Sequence, residues 1–156
     1  MSETANLAQK LKTEGDRFIA FFASLSDAQW QIEVYTEGAI WTIRNVLAHF
    51  VTSERGFVKL FAEINSGGAG TSEDFSIDRY NARQQEKTRN LTPSELLEQY
   101  QLVRSEMVSF VSALQDPDLE RVGRHPFLQV TSLREMIKMV YLHNQIHYRD
   151  IKKALG

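Results

Sequence analysis

Cysteine is absent from this chain of 156 residues. Its absence excludes disulfide bonds, thiolate metal ligands and a cysteine nucleophile. An excess of charge of either sign is also missing, since 18 Lys and Arg residues and 20 Asp and Glu residues leave a net charge of -2. Nucleic-acid-binding domains usually carry a strong positive excess, so we expect no nucleic acid partner. No apolar run approaches the roughly 18 residues that span a bilayer, so we expect no membrane partner.

Proline is scarce, and the three prolines, Pro93, Pro117 and Pro126, all lie at predicted helix starts or in loops. Long stretches are therefore free to form uninterrupted helices. The polar N-terminal segment lacks the apolar core of a secretory signal, and with no cysteine this indicates a cytoplasmic protein. The length and the 42% content of hydrophobic residues are typical of one globular domain, which we predict to span residues 1–156.

Apolar side chains recur at helical spacing in four long segments, residues 4–25, 42–65, 93–114 and 132–155. Thr92-Pro93-Ser94-Glu95 and Ser132 with Glu135 have the pattern of capping boxes at the starts of the last two. A polar segment over residues 76–90 predicts a further, mostly exposed helix. No segment alternates with a period of two, so we expect no sheet. The pattern predicts an all-α four-helix bundle.

Two histidines, His143 and His147, interrupt the apolar stripe of the last predicted helix. Residues four apart lie about 5–6 Å from each other on one helix face, so both imidazoles can reach one ion. The pair has two interpretations: core histidines satisfied by hydrogen bonds, or metal ligands. Two polar rings on a buried face need partners, and the pair alone leaves both interpretations open.

His49 lies at the edge of the apolar stripe of the second long helix and is the third candidate ligand. Three histidines would leave an open coordination position, which is typical of catalytic rather than structural zinc sites. His125 precedes a proline in a loop, and we expect it to have a structural or pocket-rim role rather than to bind the metal. Gly56 is unfavourable inside a helix, and a close helix contact, an approaching side chain or chance would explain it.

Two common metalloenzyme motifs are missing. The last helix reads HNQIH over residues 143–147, without the glutamate of H-E-x-x-H, so it supplies no carboxylate base. The E-x-x-H motif of di-iron bundles is also absent, which favours one metal over two. Glu54 follows His49 by five residues, and its helical angle favours a surface or helix-pairing role over that of a base.

The order and spacing of several motifs resemble the DinB/YfiT-like superfamily. Residues 41–49, WTIRNVLAH, resemble the start of that family's second helix, and His143-x-x-x-His147 resembles its closing pair. The stretches HPF at 125–127 and TSLRE at 131–135 resemble the segment before its last helix. The resemblance covers nearly the whole chain.

The resemblance implies an up-down-down-up four-helix bundle, often dimeric, with one divalent metal ion, zinc or nickel, bound by His49, His143 and His147. It also implies thiol-dependent chemistry, since family members of known activity transfer low-molecular-weight thiols to electrophiles or isomerise maleylpyruvate with mycothiol. We therefore expect a small-molecule substrate, a low-molecular-weight thiol as co-substrate and a homodimer.

Three functions remain open at this point. The first is a metal-dependent thiol transferase, the second a metal-dependent hydrolase, and the third a non-catalytic bundle that dimerises or binds a ligand through exposed aromatics such as Phe75, Tyr80 or Phe127.

Near the histidine pair, Asn144, Gln145 and Tyr148 are either hydrogen-bond donors to the site or solvated residues. The Gly/Ser-rich loop 66–75 is either a gate for the site or a simple connector.

Overall fold

The computed structural model describes residues 1–156 and is built from six α-helices joined by short connections. Four of them are long, and none has an apolar stretch that could span a lipid bilayer. The helices are α1 (Glu3–Ala23), α2 (Asp27–Trp30), α3 (Ile43–Asn65), α4 (Ile77–Thr88), α5 (Pro93–Ala113) and α6 (Leu133–Leu155), with a 3-10 turn at Asp116–Glu120.

The helices begin where the sequence provides side-chain caps. Thr42, Thr92 and Ser132 each accept a hydrogen bond from the backbone N–H three residues later, at the starts of α3, α5 and α6. Such caps satisfy N–H groups that a helix leaves unpaired at its first turn. The predicted helices agree with the observed ones to within two residues.

The expectation that the chain has no sheet was wrong. Two short antiparallel pairs are present: β1 (Glu33–Tyr35) with β2 (Trp41–Thr42), and β3 (Val122–His125) with β4 (Gln129–Ser132). Each strand has only two to four residues, which is too short for an alternating pattern to stand out in the sequence. The two hairpins flank the N-termini of α3 and α6, and residues from both lie beside the candidate site.

The direction of α5 is set by α4, which runs back along α3. Gln85 near the end of α4 bonds to Asn45 near the start of α3, so the chain returns to that end before α5 begins. Helix α5 therefore runs parallel to α3, and Glu54 of α3 meets Arg104 of α5. The two middle helices of the bundle point the same way.

The outer two long helices run opposite to the middle pair. Thr4 contacts Asp116 just after α5, and Leu11 contacts Arg104, so α1 is antiparallel to α5. Arg134 at the start of α6 pairs with Glu3 at the start of α1, so these two helices are parallel. The order is up-down-down-up, as the family resemblance implied.

A polar layer divides the bundle core into two apolar clusters. Its centre is the ion pair of Glu54 and Arg104, whose side chains are only 3% and 4% exposed. Arg104 also donates to the carbonyl of Leu11, and Gly15 of α1 makes room for it, because a Cβ there would lie 2.7 Å from Arg104 Cγ. The prediction that Glu54 pairs helices is thus confirmed, whereas its alternative placement at the surface was wrong.

Candidate metal centre

The antiparallel packing of α3 against α6 brings His49, His143 and His147 together. The Nε2 atom of His143 lies 3.0 Å from Nε2 of His49 and 3.1 Å from Nε2 of His147. The potential ligand atoms of the three rings all lie within 4.8 Å of one another. The three residues that the sequence put forward as ligands therefore form one cluster, and metal binding by them stays a prediction.

Burial keeps the three imidazoles neutral near physiological pH. His49 is 7% exposed, and loss of water lowers its pKa well below the usual value, with a further contribution from the neighbouring histidines. Desolvation lowers the pKa of His143 to about 3 and that of His147 to about 4. Neutral imidazoles with free lone pairs are the form in which histidine binds metals.

Tyr35 of β1 and Asp150 of α6 orient the ring of His147. The Tyr35 hydroxyl donates to Asp150 Oδ2 over 2.6 Å and lies 2.7 Å from His147 Nδ1. Because its single proton is directed at the carboxylate, the tyrosine oxygen accepts from Nδ1–H of His147. Nε2 of His147 then carries the lone pair, which faces the other two histidines.

This donor set fits a divalent metal. Hydrogen bonds cannot satisfy all three Nε2 atoms, because the His147 nitrogen is an acceptor and the His143 nitrogen can donate to only one neighbour. A shared cation accepts all three lone pairs at once. Zinc–nitrogen bonds of about 2.0–2.1 Å at tetrahedral angles separate ligand nitrogens by about 3.3 Å, within a few tenths of an ångström of the two distances from His143 Nε2.

A long pocket of about 670 Å³, which we call the trough, leads away from the cluster along α3. Its floor is a helical stripe that starts at His49 and ends at Glu63. One wall is formed by residues 70–81 and the other by the tip of the β3–β4 hairpin at Pro126 and Phe127. Aromatic and aliphatic side chains supply most of its surface, among them Trp41, Phe57, Leu60, Phe75, Tyr80 and Phe127.

Part of loop 66–75 forms a wall of the trough. It is fixed to the hairpin by hydrogen bonds from Thr71 N to Arg124 O and from Arg124 N to Ala69 O. Gly70 is required at this contact, because its φ is +96° and a Cβ would lie 2.5 Å from the Arg124 backbone. The aromatics Phe75, Tyr80 and Phe127 line the same trough.

His125 lies outside the three-histidine cluster, in the structural role that the sequence favoured. Its Nδ1 accepts hydrogen bonds from the backbone N–H groups of Phe127 and Leu128, which holds the hairpin tip in shape. The ring stacks on Phe57, and burial lowers its pKa to about 4. It therefore supports the wall of the trough.

The three residues that flank the histidine pair on α6 do not face the cluster. Asn144 is buried and bonds to the Tyr100 hydroxyl, while Tyr148 packs edge-on against Phe18 and Phe21. Gln145 lies on the far side of the helix, in a shallow surface depression with basic residues. Their roles are thus structural or peripheral.

Sequence reasoning missed Tyr35 and Asp150. Asp150 follows His147 by three residues and so shares its helix face, which was a usable signal. Tyr35 had no such signal, because it is more than a hundred residues away in the chain and reaches His147 only through the β1–β2 hairpin. Gly56 did carry a usable signal: a Cβ there would lie 2.9 Å from the Tyr80 hydroxyl, so an approaching side chain explains it.

Residues 10–151 of this chain match the sequence model of the DinB superfamily. The chain belongs to the DinB superfamily. The resemblance seen in the sequence is therefore confirmed. Among proteins of curated function, none matches this DinB protein by sequence.

Solved structures share the fold of this DinB protein at low sequence identity. One is YfiT from Bacillus subtilis, described as a probable metal-dependent hydrolase with an unusual four-helix bundle topology. It has a TM-score of 0.80 at 17% identity, over 99% of this chain and 87% of YfiT. An uncharacterised Escherichia coli UTI89 protein has a TM-score of 0.75 at 14% identity, over 96% of this chain and 91% of that one.

A mycothiol-dependent maleylpyruvate isomerase also shares the fold, with a TM-score of 0.74 at 15% identity. The match covers 96% of this chain and only 59% of the isomerase. At these identities the likeness establishes the bundle topology, and the reactions in the printed descriptions belong to those proteins.

Proposed function

We propose that this DinB protein is a metal-dependent enzyme that transfers a low-molecular-weight thiol to small electrophiles. The observation that carries the proposal is the cluster of His49, His143 and His147, whose Nε2 atoms converge inside a large apolar pocket. These three residues would hold one divalent ion, zinc or nickel.

The donor set suits an ion that activates a substrate. Three neutral imidazoles leave the ion its full +2 charge, and three ligands leave at least one coordination position open. A divalent ion bound there would supply a Lewis acid that lowers the pKa of a thiol or a water by several units.

The absence of a carboxylate base at the cluster favours a thiol over water as the nucleophile. Asp150 is turned away and accepts a hydrogen bond from the Tyr35 hydroxyl, and Glu63 lies at the far end of the trough. A thiol has an unperturbed pKa of about 8.5 and needs little help to ionise near neutral pH. Water is far less acidic and usually needs both a metal and a base.

In the proposed displacement, the thiol loses its proton to solvent and its sulfur forms a bond to the electrophilic carbon. The bond from that carbon to the leaving group breaks, and the electron pair departs with the leaving group. The protein's own part is to orient the reactants and exclude water. Trp41 packs against His49 and Phe127 against His143, so the apolar walls reach the reacting position.

A metal-dependent hydrolase is the second candidate, and the fold shared with YfiT supports it. The same cluster would then act on water and an ester or amide. A parallel assay of ester and amide hydrolysis separates the two candidates, because a transferase requires added thiol and a hydrolase does not.

The test combines metal analysis with an activity screen. We expect the purified protein, reloaded with zinc or nickel, to bind about one ion per chain and to couple low-molecular-weight thiols to chlorinated or epoxide electrophiles. His147→Ala is expected to lose at least tenfold in metal affinity and nearly all activity while its circular dichroism is unchanged. Gln145→Ala, two residues away and outside the cluster, is the matched control.

The proposal is wrong if His147→Ala binds zinc as tightly as the unaltered protein. It is also wrong if loaded protein shows no thiol-dependent turnover across the screen.

A further inference from the structure

The shape of the trough restricts what can reach the cluster. Its floor follows one stripe of α3, from His49 through Ser53, Gly56 and Leu60 to Glu63. The fourteen residue steps from His49 to Glu63, at 1.5 Å each, give the floor a length of about 21 Å. The missing side chain at Gly56 makes room for the Tyr80 hydroxyl in the middle of this stripe. The trough is therefore a channel suited to an elongated molecule.

Two polar side chains of the channel, Ser53 and Tyr80, are already satisfied by the backbone. The Ser53 hydroxyl donates to the carbonyl of His49 over 2.6 Å, and the Tyr80 hydroxyl donates to the carbonyl of Thr52 over 3.0 Å. Each hydroxyl has one proton, so neither has a donor left for a ligand. A polar molecule lying here would lose hydrogen bonds to water without replacement, which costs free energy.

Free polar groups lie at the ends and on one wall. Lys59 and Glu63 at the end away from the cluster are exposed, so that end meets solvent. Asn81 on the α4 wall is half-buried and has no side-chain hydrogen bond within the chain. The arrangement from one end to the other is thus three imidazoles, an apolar middle section and a solvated end.

From this arrangement we propose that the trough binds a straight acyl or alkyl chain, with the reactive end of the molecule at the three histidines and the chain along α3. The inference rests on the proposed function, and it names the electrophile as a linear amphiphile rather than a compact polar molecule. The apolar side chains of Phe57, Leu60 and Phe75 contact the chain, and a terminal polar group emerges near Lys59.

Burial of a hydrocarbon chain has a measurable signature. Each buried methylene is worth about 0.8 kcal/mol, which converts to about a fourfold gain in affinity. Affinity is expected to rise by about two- to fourfold per added methylene until the channel is full, and then to level off.

The experiment uses isothermal titration calorimetry with straight-chain hydroxamic acids from butano- to hexadecanohydroxamate, whose head group binds zinc and whose longest members match the length of the floor. Zinc-loaded and metal-free protein are titrated in parallel. Zinc adds affinity for the head group, whereas the increment per methylene comes from the trough and is expected in both forms.

Leu60 provides the variants, because it lies on the floor well beyond the histidines. Leu60→Trp is expected to weaken binding of decanohydroxamate at least tenfold and that of butanohydroxamate by less than twofold. Leu60→Ala is expected to shift the levelling-off to longer chains. Leu142→Trp is the matched control, since Leu142 is 43% exposed on α6 and does not line the trough.

The outcomes separate this inference from the proposed function. Chain-length dependence in the metal-free protein, with no zinc binding, would leave the inference standing and remove the metal-dependent function. Zinc binding with affinities that do not rise with chain length would overturn the inference alone. It is also overturned if Leu142→Trp reduces decanohydroxamate binding as much as Leu60→Trp does.

Discussion

At the scale of single residues, Tyr35 connects the candidate metal centre to a carboxylate. Its hydroxyl accepts from His147 and donates to Asp150, so the charge of the carboxylate reaches the imidazole through one hydrogen-bonded intermediate. Such partners fix the ring orientation and raise the basicity of a ligand. Desolvation and the neighbouring Asp150 raise the pKa of Tyr35, which keeps its hydroxyl protonated for this role.

Tyr35→Phe removes this connection and leaves the ring in place. We expect zinc affinity to fall about 10- to 100-fold, as for other lost partners of metal-binding histidines, when measured by competition with a chelator. Tyr148→Phe is the control, because Tyr148 lies on α6 beside His147 while its ring packs against Phe18 and Phe21. Equal zinc affinity in both variants would show that Tyr35 has no part in metal binding.

At the scale of elements, the polar layer between the two apolar clusters fixes how the helices meet. Glu54 and Arg104 form two charge-assisted hydrogen bonds, 2.7 and 2.8 Å long, between α3 and α5. Arg104 also reaches α1 through the Leu11 carbonyl. Since the pair lies one turn beyond His49 on α3, it holds the helix that supplies both the first histidine and the floor of the trough.

Glu54→Ala leaves the guanidinium of Arg104 buried without its partner. Breaking a buried ion pair in this way typically costs about 3–5 kcal/mol, so we expect a loss of that size in the free energy of unfolding, measured with urea. Glu86→Ala removes the exposed pair with Arg89 and is expected to change stability by less than about 0.5 kcal/mol. Similar losses in the two variants would show that the buried ion pair stabilises the fold no more than an exposed one.

At the scale of the whole molecule, all four histidines have pKa values below their unfolded value near 6.5, chiefly because of burial. The unfolded chain therefore takes up protons at a higher pH than the folded chain. The contribution of the neutral histidines to the free energy of unfolding is complete above pH 6.5 and is lost as the pH falls towards 4. The bundle is thus expected to be acid-sensitive when no metal occupies the histidines.

His125 allows this effect to be measured apart from the metal centre. Its pKa falls to about 4 on folding, so it contributes up to about 1.4 kcal/mol per pH unit to the loss of stability between pH 6.5 and 4. His125→Gln keeps a hydrogen-bond acceptor for the hairpin tip and has no titrating ring. We expect urea unfolding in excess chelator to show a shallower pH dependence for this variant, and an unchanged slope would contradict the prediction.

Much of the bundle could be predicted from local sequence. Helix boundaries follow from apolar spacing and from caps such as Thr42, Thr92 and Ser132, because those interactions involve residues close in the chain. The pairing of His143 with His147 is equally local, since four residues make one helical turn. The position of His49 on the stripe of its helix made it a candidate, and the family resemblance supported it and added the direction of the helices.

Tertiary structure alone decided the surroundings of the histidines. The strands that carry Tyr35 and His125 are too short to leave a period in the sequence, and they form only where the ends of long helices meet. The trough needs three separate segments, α3, residues 70–81 and the β3–β4 hairpin, which approach each other only after the bundle has packed. Local spacing thus determined which residues share a helix face, and long-range packing determined which of those faces meet.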